Sequence, residues 1–241
     1  MKILVCGKGG CGKSTISALL AKELAGRGHK VLVMDSDESN FGLHNQLGLE
    51  PPNDFMNYFG GKEVLFEKVK SLQKGWKINE LPKQYLSEKN NISLLAVGKI
   101  YDFGEGCACP MNALSSKFLE KLKLEKDEFL VADTDAGIEH LGRGVDKGCD
   151  IILIVVEPSR ESAELAGRIF EMAEGIDKGV YFVLNKVDSR TEGILSRWLD
   201  DDKIIASVPE DEKIFSHCLD GKEFDFGVEE IEVLADWLEK R

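Results

Sequence analysis

The sequence predicts an α/β fold, a mostly parallel β-sheet with helices on both faces, and three observations carry that prediction. Short runs of Val, Ile and Leu recur along the chain, most of them are continuous rather than alternating, and segments of helical period separate them. A continuous apolar run fits a strand buried on both faces, and strand–helix alternation is the pattern of parallel crossovers. Taken in order, the expected strands are Lys2–Cys6, Val31–Met34, Ile92–Val97, Phe129–Ala132, Ile151–Val156, Val180–Leu184 and Lys203–Val208. A helix over 14–26 presents Ile16, Leu19, Leu20 and Leu24 on one face and is closed by Gly26 and Gly28. Residues 159–175 and 228–240 repeat the helical period.

The segment from Pro51 to Asn91 is the least regular, punctuated by Pro51-Pro52, Gly60-Gly61, Gly75 and Pro82. It is too long for a bare loop and is expected to hold short helices that border the functional site. The last helix sets Ile231, Leu234, Ala235 and Leu238 against five acidic residues, which fits core packing rather than a Lys/Arg-rich membrane-surface helix. At 241 residues the chain is expected to form a single domain, 1–241.

Composition narrows the partners. With 43% hydrophobic and 31% charged residues the chain reads as soluble and globular. A net charge of -12 opposes a nucleic-acid partner, whose phosphates need clustered Lys and Arg. No apolar run approaches the ~20 residues that span a bilayer, and no signal-peptide pattern opens the chain, so no membrane and a cytoplasmic location are expected. Of the six cysteines, Cys6, Cys11, Cys149 and Cys218 are isolated and read as small packing residues, whereas Cys107 and Cys109 stand as a pair.

Gly7-Lys8-Gly9-Gly10-Cys11-Gly12-Lys13-Ser14 matches G-x-x-x-x-G-K-[ST] between a strand and a helix, the context this phosphate loop requires. Residues Gly9, Gly10, Cys11, Gly12, Lys13, Ser14 and Thr15 are expected to hold a nucleoside triphosphate. Backbone N–H groups and Lys13 face its β- and γ-phosphates, and the Ser14 hydroxyl serves Mg²⁺. Lys8 is either a solvated lysine or a cation that reaches phosphates bound in another subunit. Asp35-Ser36-Asp37 and Asp133-Thr134-Asp135-Ala136-Gly137 follow two strands. Carboxylates there suit Mg²⁺ (Asp35, Asp133) and the attacking water (Asp37), and the Gly137 N–H suits the γ-phosphate; a helix N-cap is the plain alternative for any one Asp. In Asn185-Lys186-Val187-Asp188 the amide suits a purine edge, while the N-K-x-D form resembles the guanine-reading motif of GTPases, so ATP and GTP both stand.

The two-lysine loop and the order of the acidic motifs resemble the deviant Walker A ATPases, the group of MinD, ParA and the nitrogenase iron protein. That resemblance implies a P-loop NTPase fold, ATP hydrolysis, and a nucleotide-sandwich homodimer in which Lys8 contacts the partner's nucleotide. It implies as well that Asp37 supports hydrolysis, that Asp133 reaches the Mg²⁺ shell through water, and that Pro209 and Glu210 border the base. Gly106-Cys107-Ala108-Cys109, Asn112-Ala113-Leu114 and Ala136-Gly137-Ile138-Glu139-His140-Leu141 with Arg143-Gly144 resemble more narrowly the CooC-type nickel-insertion ATPases. Members of that branch mature carbon monoxide dehydrogenase and related acetyl-CoA synthase enzymes, which implies a nickel-enzyme client. The sequence departs from the branch at Cys11, where Val is usual, at Glu38, where Pro is common, and at Asp188. Two thiolates cannot close a four-coordinate soft-metal site, but two copies supply four, and Ni²⁺ or Zn²⁺ would accept them; an incidental or redox pair is the alternative. Flanking Gly106 and Pro110 point to a turn at the pair.

Overall fold

The computed structural model describes residues 1–70, 75–101, 109–136, 148–173 and 178–241. Among them a sheet of eight strands runs through the middle: β1 (Lys2–Gly7), β2 (Lys30–Asp35), β3 (Ser87–Lys89), β4 (Ile92–Ala96), β5 (Glu128–Asp133), β6 (Ile151–Val156), β7 (Gly179–Val187) and β8 (Ile204–Pro209). Their spatial order is β3-β4-β2-β5-β1-β6-β7-β8. Only β3 runs antiparallel, against β4, and the other pairs are parallel, with Ile3 of the central strand facing Val131 on one side and Ile151 on the other. All seven parallel strands therefore end on one edge, which brings Gly7, Asp35, Asp133, Val156, Asn185 and Pro209 together.

Strand side chains alternate between two cores. In β1, Leu4 and Cys6 join one apolar cluster, and Ile3 and Val5 join the other. The first core is closed by helices α3 (Lys62–Lys70), α4 (Cys109–Lys121) and α5 (Arg160–Ala173). The second is closed by α1 (Lys13–Gly26) and by the last helix, α8 (Glu229–Glu239). As the sequence pattern required, α8 buries Ile231, Leu234, Ala235 and Leu238. Arg27 after α1 donates to Asp236 (2.5 Å) and Glu239 (2.7 Å) of α8, pinning the two helices at their ends. Among the described residues there are also three short α-helices: α2 (Leu43–Leu47), α6 (Ser189–Leu195) and α7 (Glu212–Asp220).

The described residues of 51–91 do not border the strand-end cleft. Their aromatic side chains fold inward instead: Phe55 is fully buried and meets Phe59, Trp76, Tyr85 and Phe118 edge-on at 5.4–6.2 Å. Burying that much aromatic area offers a larger gain than standing over a polar cleft. A second difference lies at Pro110, which stands inside the first turn of α4 rather than in a turn. A proline is accommodated there because the first helical N–H groups have no intrahelical partner.

Candidate nucleotide site

The cleft at the strand ends has a volume of about 540 Å³. Of the residues expected there, Gly9, Gly10, Gly12, Lys13, Ser14 and Thr15 line it from the loop and α1, and Asp37 from the end of β2. Asn185, Lys186, Pro209 and Glu210 line it from β7 and β8. Cys11 is wholly buried behind the loop, where burial pushes its thiol up to about 11. Gly137 and Cys107 lie outside the described residues, and Cys109 is the first residue of α4.

The loop owes its shape to close approaches. Gly12 has φ +98°, and a Cβ there would lie 2.2 Å from Asn185 Nδ2. At Gly7, φ is +143° and a Cβ would meet the Val155 carbonyl oxygen at 2.4 Å. Asn185 is buried and donates through Nδ2 to the Cys11 carbonyl at 2.8 Å, so its amide props the loop from below. The ladder between β7 and β8 shifts register at Asn185/Val187, and Lys186 takes a left-handed φ of +58°. The bulge swings Lys186 out of the sheet, and its ammonium donates to the Gly10 carbonyl at 2.7 Å.

Behind the loop, buried carboxylates meet hydroxyls. Ser14 Oγ donates to Asp133 Oδ2 at 2.6 Å and Ser17 Oγ to Asp133 Oδ1 at 3.3 Å. Burial raises the Asp133 carboxyl to about 6, against the pull of the Ser14 hydroxyl and Lys13. Asp35 is pushed further, to about 7, chiefly by burial, although the Lys99 ammonium 2.6 Å away holds it down. Its other oxygen, Oδ1, accepts from the Asp37 N–H at 3.2 Å. The Ser14 hydroxyl and the Asp133 carboxyl bring oxygen donors together, which fits a hard cation such as Mg²⁺. Asp133 is joined directly to Ser14, whereas both Asp35 oxygens are engaged by Lys99 and Asp37.

Lys8 turns to the rim. Its ammonium sits 3.2 Å from both Glu157, just after β6, and Glu161 of α5, and their carboxylates raise its pKa, Glu157 first. Lys13 donates to the Lys8 carbonyl at 3.3 Å, folded back over the loop. Asp188 does not line the cleft. Its carboxylate caps α6, accepting from the Thr191 N–H at 2.7 Å and the Thr191 hydroxyl at 2.7 Å.

Sequence reasoning missed several residues. Gln46, Ile214, Phe215 and Cys218 also line the cleft, and Cys218 is exposed there rather than packed. No motif marks them; only the position of α7 directly after Pro209 and Glu210 could have drawn attention to it. Asn40 donates to Ser14 Oγ at 2.8 Å, and Lys99 is buried beneath the same loop. Among the described residues no group of three or more His, Cys, Asp or Glu is arranged to hold a metal ion, and no helix is long and apolar enough to cross a membrane.

Fold and site define a nucleotide-binding protein of the P-loop class. The model of the CobQ/CobB/MinD/ParA nucleotide binding domain matches residues 2–224, and the chain belongs to that family. An uncharacterised ATP-binding protein of Methanocaldococcus jannaschii is 48% identical over 249 residues, covering all of both chains. The carbon monoxide dehydrogenase accessory protein CooC of Rhodospirillum rubrum is 30% identical over 232 residues, 89% of this chain and 85% of its own. Among solved structures, the septum site-determining protein MinD of Pyrococcus horikoshii in complex with Mg-ADP matches with a TM-score of 0.73 at 20% identity. That match covers 99% of this chain and 96% of MinD, and it shows the eight-stranded architecture to be the family fold.

Proposed function

We propose that this chain is an ATP-driven metallochaperone of the cytoplasm that dimerises on nucleotide and delivers nickel to carbon monoxide dehydrogenase or a related nickel enzyme. The observation that carries the nucleotide half is the Ser14–Asp133 contact at 2.6 Å beneath a loop with Lys13 at its head. Mg²⁺, when bound, neutralises phosphate oxygens, and Ser14, Asp133 and Asp35 would hold it or its water shell. Lys13 and the N-terminal N–H groups of α1 bind the phosphates, and the N–H of Gly137, which follows the Asp133 strand end in sequence, would serve the γ-phosphate. Asp37 stands at the cleft with its carboxylate oriented by the Ser39 N–H (2.9 Å) and hydroxyl (2.6 Å), ready to orient a water. Lys8 would leave Glu157 and Glu161 to contact the nucleotide of the partner subunit, so closing the dimer exchanges an internal ion pair for one across the interface. ATP is favoured over GTP because the Asp188 carboxylate is spent on the cap of α6; Pro209 and Glu210, which line the cleft, would border the base.

The metal half rests on the Cys107-Ala108-Cys109 pattern and on the 30% identity with CooC. Two such pairs at a dimer axis would hold the Ni²⁺ or Zn²⁺ cargo. Its test is elemental analysis of the dimer with a non-hydrolysable ATP analogue: near-stoichiometric Ni²⁺ or Zn²⁺ is expected, and Cys107→Ser with Cys109→Ser should abolish it. Unchanged metal content in the double variant refutes the metal role. A positioning ATPase without metal is the second reading, supported by the fold it shares with MinD. The net charge of -12 and the acidic face of α8 weigh against the DNA or lipid surface such a switch would need.

A further inference from the structure

Lys99 is 7% exposed and follows β4 by three residues, behind the cleft rather than in it. A lysine ammonium has three N–H donors, and here each has an acceptor. It donates to Asp35 Oδ2 at 2.6 Å, to the Asp37 carbonyl at 2.6 Å and to the Asn40 carbonyl. Burying an ammonium costs several kcal/mol unless its partners are well placed, so this geometry is held firmly once formed. Backbone bonds run alongside, with the Val97 N–H donating to the Asp35 carbonyl at 2.9 Å and the Ile100 N–H to the Glu38 carbonyl at 3.1 Å. The strand-end segment 97–100 and the loop 35–40 are thereby fastened together at five points.

The loop so held is the one that meets the phosphate end of the cleft. Asp37 lines the cleft, and Asn40 Nδ2 donates to Ser14 Oγ at 2.8 Å and to Asp133 Oδ2 at 3.5 Å. We propose that Lys99 is a positioning residue for nucleotide hydrolysis: it fixes the loop 35–40 from behind, so that Asp37 and Asn40 keep their stations beside Ser14 and Asp133. This rests on the reading of the chain as a hydrolase. A lysine that only neutralised Asp35 would need one acceptor; the two loop carbonyls, from residues three apart, make it a clamp on the backbone. Lys13 and the glycines that line the cleft are not bonded to Lys99, so loosening the clamp acts on turnover more than on ATP binding.

Lys99→Arg and Lys99→Met test it through three readouts: ATP affinity, turnover, and amide hydrogen exchange over residues 36–42 with a non-hydrolysable analogue bound. Arg keeps a cation for Asp35, but its planar fork cannot give one N–H to each of three converging oxygens. Both variants should bind ATP within about threefold of wild type, with turnover down about fivefold for Lys99→Arg and more than about twentyfold for Lys99→Met. Exchange over 36–42 should speed up in the same order. If Lys99→Met does not fold, Lys99→Arg alone decides. Wild-type turnover and exchange in a folded Lys99→Arg, or affinity and turnover lost in parallel, overturns the proposal. A wild-type chain without any turnover would refute hydrolysis itself, and the exchange over 36–42 would then judge the clamp.

Discussion

Replacing Gly12 by Ala places a methyl group where the structure has no room for one. The added Cβ would sit 2.2 Å from Asn185 Nδ2, and φ at this position is +98°. An L-residue in left-handed backbone costs about 1–2 kcal/mol. The overlap is relieved only by pushing the Asn185 amide off the Cys11 carbonyl, leaving buried polar groups unpaired at about 1–3 kcal/mol. The sum, about 2–5 kcal/mol, is lost from the loop whether it reads out as stability or as phosphate affinity, and at 1.4 kcal/mol per tenfold it spans roughly 30-fold to several thousand-fold in Kd. Calorimetric ATP titration together with a thermal melt measures both shares. A double-mutant cycle with Asn185→Ala separates the two causes, because removing the amide removes the overlap and leaves only the backbone penalty. Gly12→Ala should therefore cost about 2–5 kcal/mol in the wild-type background and about 1–2 kcal/mol beside Asn185→Ala. Equal costs in both backgrounds would refute the overlap, and wild-type melting and binding in Gly12→Ala would refute the whole argument.

Phe55→Ala opens a cavity at the centre of five aromatic rings and should cost about 3–5 kcal/mol in urea unfolding. Because Phe55 does not line the cleft, ATP affinity should hold, and a cost under about 1.5 kcal/mol would show that the cluster is looser than the structure implies. The junction of α1 and α8 should be acid-sensitive. Asp236 is held below the usual carboxylate range by the Arg27 guanidinium, and Glu239 by the His29 ring and then Arg27, with Glu23 also on Arg27. Groups with depressed pKa values contribute stability above the ordinary carboxylate pKa, ~4, and lose it as pH falls through their folded values. Asp236→Asn with Glu239→Gln should thus melt below wild type near neutrality, with the gap closing towards pH 3; a gap that is constant with pH would contradict the ion pairs.

What the sequence made legible follows from where the physics is local. The continuous apolar strands and the phosphate loop are written in adjacent residues, and each of the expected strands has a counterpart in the sheet. Strand β3 escaped because Ser87, Glu88 and Lys89 are polar and half-exposed or exposed on an edge; its signal was the Asn90-Asn91 turn, both residues at positive φ (48° and 64°) as a two-residue hairpin requires. Helix α4 was obscured by Pro110, a breaker in a helix interior but not in a first turn. Lys99 left no trace at all. In the run Val97-Gly98-Lys99-Ile100 it reads as a surface lysine, and its carboxylate partner lies 64 residues earlier, joined to it only by the pairing of β2 with β4. Buried charges are decided by tertiary neighbours, which is why the clamp behind the site was invisible while the loop in front of it was plain.

The placement of charge explains how so acidic a chain can hold a polyanion. Helices α5, α7 and α8 each carry Glu in the first turn, and α7 is capped by Asp211, which accepts from the Lys213 and Ile214 N–H groups. Those carboxylates satisfy the helix's own positive end. Helix α1 differs: it begins after Gly12 with no side-chain cap and no acidic residue in its first turn, and its first residue is Lys13. Its N-terminal dipole and N–H groups are thus not consumed by the chain's own carboxylates and face the cleft. Nearby, Glu157 holds Lys8 at 3.2 Å and stands 3.7 Å from Lys186, so the two rim cations share one carboxylate. A phosphate entering the cleft competes with Glu157 for Lys186, which lines the cleft, and any shift of Lys186 towards the phosphate leaves Glu157 to Lys8. The net charge of -12 therefore does not oppose binding of a compact anion at this one place, and it continues to repel an extended one elsewhere on the surface.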